Sequence, residues 1–443
     1  MRTGLVCLLI LRASLAIAQE SRFHADMRQE GEDLADSCKG GLQAKTVIGC
    51  VVAVATEDPF HVAIGSLPPQ NGMGFGLAFV EHYTPNENWR FSWNADAVGA
   101  PSGAWRTGAY MKIIHTARAP ITVVQPGAAP AGRATQGIRE YPIINVYWQT
   151  ISLDKVTLND GQDSFREKQT IVGGNVIYPV PLLDALRPSL IGAINGRFVT
   201  INGSSTVTAV PQPGFAQFEE GLRLKPSLFD DRLQFDYLFD LQQFAASASS
   251  DVSFHRWMLD LKHEIPLYRT VSSTGPRDTN GPNECFESLG SRRCPPISYS
   301  SNLEGSVLFR FLTMQSGVSG GNSVPFYFQP TLGGSDLNGQ RLLAAYDDYR
   351  FRAPNLFAFQ ESVEHSIWGP IGAYVLFEQG KVADQGASFS ESGLAHSFAV
   401  GLTLRAGGFP LINVTFAWGP ERHHLISTID SSLLGGSPRP SLY

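Results

Sequence analysis

Past its first eighteen residues the chain has no apolar run long enough to cross a membrane as a helix. Such a helix needs roughly 18–20 consecutive apolar residues. With 43% hydrophobic residues the chain is also too polar for a helical membrane bundle. Charge is scarce as well. Only 17% of the 443 residues are Asp, Glu, Lys or Arg, which is low for a soluble protein of this length. Lys/Arg runs are missing and the net charge is −6, so nothing is built to track phosphates and nucleic acid is not an expected partner. Cysteine is sparse, at five residues, with no CxxC spacing to suggest zinc or redox chemistry.

What the chain does have is glycine, 44 residues, and phenylalanine, 27 residues. Few charges, many aromatics and no spanning helix suit a transmembrane barrel with an apolar outside and a polar inside. Composition alone suits a soluble β-sandwich or propeller equally well.

The N-terminus reads as an export signal over residues 1–18. Arg2 gives the positive start, Leu5 to Ile17 is mostly apolar, and Ala16-Ile17-Ala18 offers small residues for cleavage before Gln19. Arg12 inside the apolar stretch is atypical. Cys7 would leave with this segment. Cys38, Cys50, Cys285 and Cys294 remain, an even number that suggests disulfides in an exported chain. Three pairings are possible; Cys38 with Cys50 and Cys285 with Cys294 close the shortest loops. Residues 19–72 carry few strand signals and read as a short N-terminal extension, able to plug or cap a barrel.

From residue 73 to 443 strand succeeds strand. The signal is period-2 alternation, because successive side chains of a strand point to opposite faces. Trp89, Phe91, Trp93, Ala95 and Ala97 alternate with Arg90, Ser92, Asn94 and Asp96. Leu233, Phe235, Tyr237, Phe239 and Leu241 alternate with Gln234, Asp236, Asp240 and Gln242, with Leu238 breaking the polar side. Trp257, Leu259, Leu261 and Ile265 alternate with Arg256, Asp260, Lys262 and Glu264; Ile412, Val414, Phe416 and Trp418 face away from Asn413 and Thr415. Several such segments reach ten residues or more. Soluble strands are typically ~5–6 residues, whereas a tilted strand needs ~9–11 to cross a bilayer. The fold class is therefore all-β: a transmembrane antiparallel barrel of sixteen strands, with fourteen as the alternative. Thr270 to Ser301 reads as a long outer loop clipped by Cys285 and Cys294, and Ala117 to Glu140 as a second long loop.

The most specific pattern lies between residues 325 and 406. Leu332-Gly333-Gly334-Ser335 is followed by Leu337-Asn338-Gly339-Gln340-Arg341 and then by Arg350-Phe351-Arg352. Further on come Glu361 and Glu364, Trp368-Gly369-Pro370, and Leu376-Phe377-Glu378-Gln379-Gly380. This order resembles the barrel of the BamA/TamA-type superfamily, the bacterial surface-antigen family. The resemblance covers roughly the last 120 residues and is loose before them. It implies an outer-membrane barrel in which 355–368, 370–383, 393–406, 411–419 and 420–430 are strands twelve to sixteen. It also implies a long sixth loop locked to the wall. Leu337, Asn338, Gly339, Gln340 and Arg341 stand at the loop motif, and Glu378 and Gly380 at the strand-thirteen motif. The family pairs a loop Arg with a strand-thirteen Asp. Here the loop position is Asn338 and the wall position Glu378, so the pair, if made, would be an amide–carboxylate hydrogen bond, unless Arg341 supplies the charge. Independently of family, a loop folded into a lumen needs tight turns, which Gly333, Gly334 and Gly339 permit.

Family members that insert or secrete proteins carry periplasmic POTRA domains, and 19–72 is too short for one. Two functions are compatible with these features. One is an assembly or translocation barrel that opens between its first and last strands, with outer-membrane lipid, unfolded outer-membrane proteins or a separate periplasmic partner as its partners. The other is a passive or loop-plugged channel. Enzymatic chemistry, a metal and a cofactor are not expected. Gly317-Val318-Ser319-Gly320-Gly321 fits Gly-x-Ser-x-Gly, but a nucleophile elbow leads into a helix and Asn322 to Phe328 reads as a strand. His423 and His424 are neighbours on a strand and point apart, which does not suit joint metal ligation. Tyr443 is an aromatic end typical of such barrels, yet Gly435 to Pro440 breaks the last strand early.

Overall fold

A computed structural model describes residues 60–429, 440 and 441, apart from 87, 116–140, 159–162, 181–185, 204–209, 230–232, 249, 275–297, 337, 339, 369–370, 385–392 and 407–408. The expected export signal and all five cysteines, with the expected pairs Cys38–Cys50 and Cys285–Cys294, lie outside the described residues.

Sixteen antiparallel strands form the barrel wall among the described residues. They are β1 (Phe60–Ser66), β2 (Met73–Asn86), β3 (Trp89–Gly99), β4 (Trp105–His115), β5 (Ile143–Leu158), β6 (Asp163–Pro179), β7 (Ser189–Gly203) and β8 (Phe215–Leu224). The second half comprises β9 (Leu233–Ala246), β10 (Phe254–Thr274), β11 (Ser298–Gly317), β12 (Asn355–Trp368), β13 (Ile371–Ala383), β14 (Ala395–Ala406), β15 (Phe409–Trp418) and β16 (His423–Ile429). Each pairs with its chain neighbour in an unbroken meander. β1 and β16 come together at the seam, but no residue-by-residue ladder joins them among the described residues.

The wall is inside-out relative to a soluble sandwich. In β7, Leu190, Ile194 and Phe198 are exposed while Ala193, Asn195, Arg197 and Val199 between them are buried. Ile194 is 65% exposed and Leu77 63%, whereas Gln217 is 0% and Glu378 1%. A large apolar row left outward and a polar row turned inward is the arrangement that hydrocarbon selects. No helix among the described residues is long and apolar enough to cross a membrane; the strands do the crossing.

Two boundaries move. Residues 60–66 belong to the barrel, so the expected extension over 19–72 ends earlier. This strand gives little sequence signal because its inward side is His61, Ala63 and Gly65, a weak alternation. The expected outer loop from Thr270 to Ser301 also shrinks, since β10 and β11 stay paired out to Thr274 opposite Ser298.

Topology assigns the connections to rims. In an antiparallel meander, successive connections alternate between the two ends. The end of β4 with the start of β5, and the end of β10 with the start of β11, share one rim with the start of β1 and the end of β16, here called the terminal rim. The connection 318–354 lies on the opposite rim, the loop rim. The strand ends that flank the two expected outer loops therefore do not share a rim with 318–354.

Ile194→Arg puts a charge in the outward row. Near the bilayer midplane it should cost about 2–4 kcal/mol, measured by urea unfolding from lipid vesicles. A loss under about 0.5 kcal/mol, as at an ordinary wet surface position, would contradict a lipid-facing row.

Candidate functional site: the lumenal loop and its wall anchors

Residues 318–354 do not extend away from the barrel; they fold into it as a nested hairpin. After β11 a turn closes with Asn322 N donating to Ser319 O at 3.0 Å. Pro325 then leads into a short 3-10 turn, Phe326–Phe328. The Gly-x-Ser-x-Gly run is thus a turn after a strand. The segment expected to continue as a strand is instead an aromatic knuckle, because Pro325 lacks an N–H for a ladder. Thr331 and Leu332 pair with Arg352 and Phe351, and Ser335 bridges Arg341. At the tip, Asp336 Oδ1 accepts from the N–H groups of Asn338 (2.9 Å) and Gln340 (2.7 Å).

The hairpin is sharply constrained. Gly333 has φ +106°, and a Cβ there would sit 2.5 Å from Asp347 O. Leu343 and Tyr349 are buried with φ of 61° and 62°. Large side chains rarely adopt that region, at a cost of about 1–3 kcal/mol each. Packing and hydrogen bonds hold them: Leu343 O accepts from Gly334 N at 3.1 Å, and Tyr349 N donates to Gly333 O at 3.2 Å.

Two apolar clusters dock the loop inside the wall. Tyr327 and Phe328, both fully buried, pack with Phe215, Phe244 and Phe254 of β8, β9 and β10. Phe215 and Phe328 meet edge-on at 5.0 Å. On the other side Leu332, Leu342, Leu343, Ala344 and Ala345 pack against Leu356, Leu376, Ala399 and Ala417. Burying each large side chain stabilises docking by about 1.5–3 kcal/mol. Gly380 has a clear part in this: a Cβ would meet Leu332 Cδ1 at 2.9 Å and Phe357 O at 3.0 Å.

The polar anchors lie along one level of the inner wall. Ladder partners run Lys262–Arg310–Gln360–Glu378–Ser397 across β10 to β14. The Glu378 carboxylate accepts from Ala344 N (2.7 Å) in the loop, and from Ser397 Oγ (2.7 Å) and Gln360 Nε2 (3.0 Å) beside it. Arg310 forks onto Asp260 at 2.8 and 2.9 Å and donates to loop Gln340 Oε1 at 3.0 Å. Arg341 donates to Thr415 Oγ1, to Tyr374 OH (3.3 Å) and to Thr428 Oγ1 (3.3 Å). Arg256, 1% exposed, donates to Phe328 O and to Ser316 Oγ.

Of the residues that the sequence singles out, Gln340, Arg341, Glu378 and Gly380 gather at the loop–wall contact. Leu337 and Gly339 lie outside the described residues. The expected hydrogen bond from Asn338 to Glu378 is replaced. Glu378 takes a backbone N–H from Ala344, and the Asn338 amide donates to Ser441 Oγ at 3.2 Å. A backbone N–H serves because the loop turn at Leu343 presents Ala344 N directly to the wall. Sequence reasoning misses Arg256 and Arg310 as anchors. Their inward alternation is visible; that they reach a loop thirty or more residues on is not.

A second set of contacts ties the loop to the final hairpin. Arg350 forks onto Glu421 at 3.0 Å through both Nε and Nη2. Asp347 lies 3.4 Å from Arg422 and 3.6 Å from His424. His423, next along β16, stacks on Phe416 instead. On the other side of the seam, Gln70 Nε2 donates to Asp348 O at 3.4 Å.

Glu378→Leu should loosen the loop, since it leaves Ala344 N, the loop's donor to this side chain, buried without its acceptor at about 1–3 kcal/mol. Glu378→Gln should lose less. Trypsin cleavage within 341–352, followed by mass spectrometry, ranks the two. Equal protection of Glu378→Leu and the parent chain would refute the anchor.

Asp348 gives a pH test. Burial raises its pKa, only partly offset by the N–H it accepts from Ser335 at 3.0 Å. The docked loop therefore binds this proton more tightly than the released loop. That contribution to docking is complete below the ordinary carboxylate value of ~3.9 and fades as pH rises through the raised value. Asp348→Asn should remove this part of the pH dependence of loop protection.

No family model matches the sequence, and no curated protein is similar to it in sequence. Solved structures are similar in shape. BamA from Haemophilus ducreyi lacking POTRA domains 1-3 superposes with a TM-score of 0.50 at 8% identity, over 84% of this chain and 69% of that one. CdiB from Acinetobacter baumannii gives 0.48 at 10% identity, over 82% of this chain; the chain spans only 56% of its length. CdiB from Escherichia coli gives 0.48 at 9% identity, over 89% and 72%. At such identities the likeness to BamA is one of fold. That likeness joins the meander of sixteen strands, the outward apolar row and the loop between β11 and β12 folded into the lumen: the chain is an outer-membrane β-barrel of BamA-like fold.

Proposed function

We propose that this barrel assists assembly or translocation of outer-membrane proteins by parting its wall between β1 and β16. The observation that carries the reading is the seam. Among the described residues β1 and β16 touch without a ladder, whereas every other neighbouring pair of barrel strands is joined by one. A boundary without ladder bonds has fewest to lose on separation, so opening costs least there. The loop contacts both flanks, through Glu421 and Arg422 on one side and Gln70 on the other. Opening would thus be coupled to loop position. An opened seam offers two strand edges that a client strand can pair with, satisfying its backbone groups as it enters lipid. The client is an unfolded outer-membrane protein, alone or brought by a separate periplasmic partner.

A second reading, a loop-plugged channel, is favoured by the two apolar clusters that seat the loop inside the lumen. One set of experiments separates the two. Under the first reading, depletion slows assembly of other barrels. A disulfide between cysteines introduced at Val62 or Ile64 in β1 and Leu425 or Ser427 in β16 then blocks rescue until it is reduced. Unaffected assembly on depletion would sink this reading. A large rise in planar-bilayer conductance on deleting 325–350, with assembly intact, would establish the channel.

A further inference from the structure

The lumen holds one more contact that neither function requires. Ser441, beyond β16 in the chain, lies against the inner wall. Arg197 Nη2, from the inward row of β7, donates to Ser441 O at 2.8 Å. The Asn338 amide at the loop tip donates to Ser441 Oγ at 3.2 Å. Arg197 lies eight residues up β7 from that strand's start at Ser189 on the terminal rim, so Ser441 sits well inside the wall.

Arg197 is held ready for this role. It is 3% exposed, and its Nε donates to Gln217 Oε1. Gln217 also receives Asn195 Nδ2 at 3.2 Å, and Asn195 in turn receives Tyr147 OH at 2.7 Å. The guanidinium stands 5.8 Å from the ring centres of both Phe244 and Phe328. A wall strand and the aromatic knuckle of the loop thereby fix its orientation. A planar guanidinium so fixed presents its remaining N–H groups in a set direction.

From this we propose that Arg197, Gln217 and Asn338 form a lumenal socket for an extended peptide segment, and that the chain's own Pro440–Ser441 segment occupies it as a displaceable self-ligand. The recognised features are a backbone carbonyl and a small hydroxyl, which a peptide can offer with little dependence on sequence. Ser441 itself is exposed while its Arg197 partner is buried, so the ligand side of the contact is open to exchange. Pro438 and Pro440 restrict the freedom of the released tail, so rebinding orders fewer torsions. Because Asn338 belongs to the loop and Arg197 to the wall, an occupied socket ties loop to wall. The assignment holds under either reading of function.

The test uses the barrel in detergent or nanodiscs, with residues 437–443 deleted in one form. The probe is a fluorescein-labelled synthetic peptide of the sequence from Gly436 to Tyr443, followed by anisotropy. The truncated barrel should bind it saturably, and the full chain at least tenfold more weakly because its socket is filled. In the truncated barrel, Arg197→Ala should weaken binding at least tenfold. Asn338→Ala, at an exposed loop tip, should weaken it severalfold and guards against a folding defect at Arg197. Bound peptide should also slow trypsin cleavage within 341–352, which binding elsewhere would not do. No saturable binding to the truncated barrel, equal binding by the full chain, or no effect of Asn338→Ala together with a correctly folded Arg197→Ala would overturn the socket.

Discussion

Hydrocarbon offers no hydrogen bonds, and that single fact dictates most of this molecule. Every N–H and C=O within the membrane must find a partner in the chain itself, at several kcal/mol for each failure. The meander from β1 to β16 meets this demand at every internal strand boundary. It also explains the inverted wall, with Ile194 and Leu77 outward and Gln217 and Glu378 inward. The one boundary without a ladder among the described residues is then the place where the same demand bears hardest. A wall whose cohesion is backbone pairing is weakest where paired length is shortest.

A wall of sixteen strands encloses more space than its own side chains fill. The connection 318–354 occupies it on the loop-rim side, and it does so with an apolar body and a polar perimeter. Tyr327, Phe328, Leu332 and Leu343 meet apolar patches of the inner wall, while Glu378, Arg310 and Arg256 hold the loop at its edges. The apolar contacts supply the larger share of docking energy and little direction. The anchors add direction, because Glu378 has donors on three sides and Arg310 is forked onto Asp260 before it meets Gln340.

Much of the barrel is legible in the sequence, because period-2 alternation is a local property. Strands at 355–368 and 371–383 stand where the pattern puts them, give or take a residue. β1 is not legible, since an inward row of His61, Ala63 and Gly65 carries almost no contrast with its surroundings. The aromatic knuckle departs from its pattern for a different reason. Phe326, Tyr327 and Phe328 have strand-like composition, but Pro325 and a tertiary pocket between β8 and β10 override it. At the site, Glu378 and Gly380 can be found from the motif. The role of Ala344 cannot, because a backbone donor leaves no mark on residue type.

Asn338 takes no part in holding the loop to Glu378. A lone loop cation on a wall carboxylate would concentrate the lock in one pair, and breaking it would leave a buried charge uncompensated. Here the loop gives Glu378 a main-chain N–H, and the charged anchors are divided: Arg310 and Arg256 stand on the wall, Arg341 and Arg350 on the loop, the last facing Glu421 of the final hairpin. The hold is divided among several elements, each of moderate strength. No single side chain of the loop then releases it, but separation of β16 would strain Arg341 and Arg350 together, since one reaches Thr428 and the other the turn just before His423. The loop meets the seam at Glu421 and Thr428 on one side and at Gln70 on the other. The Asn338 amide is left to bind Ser441.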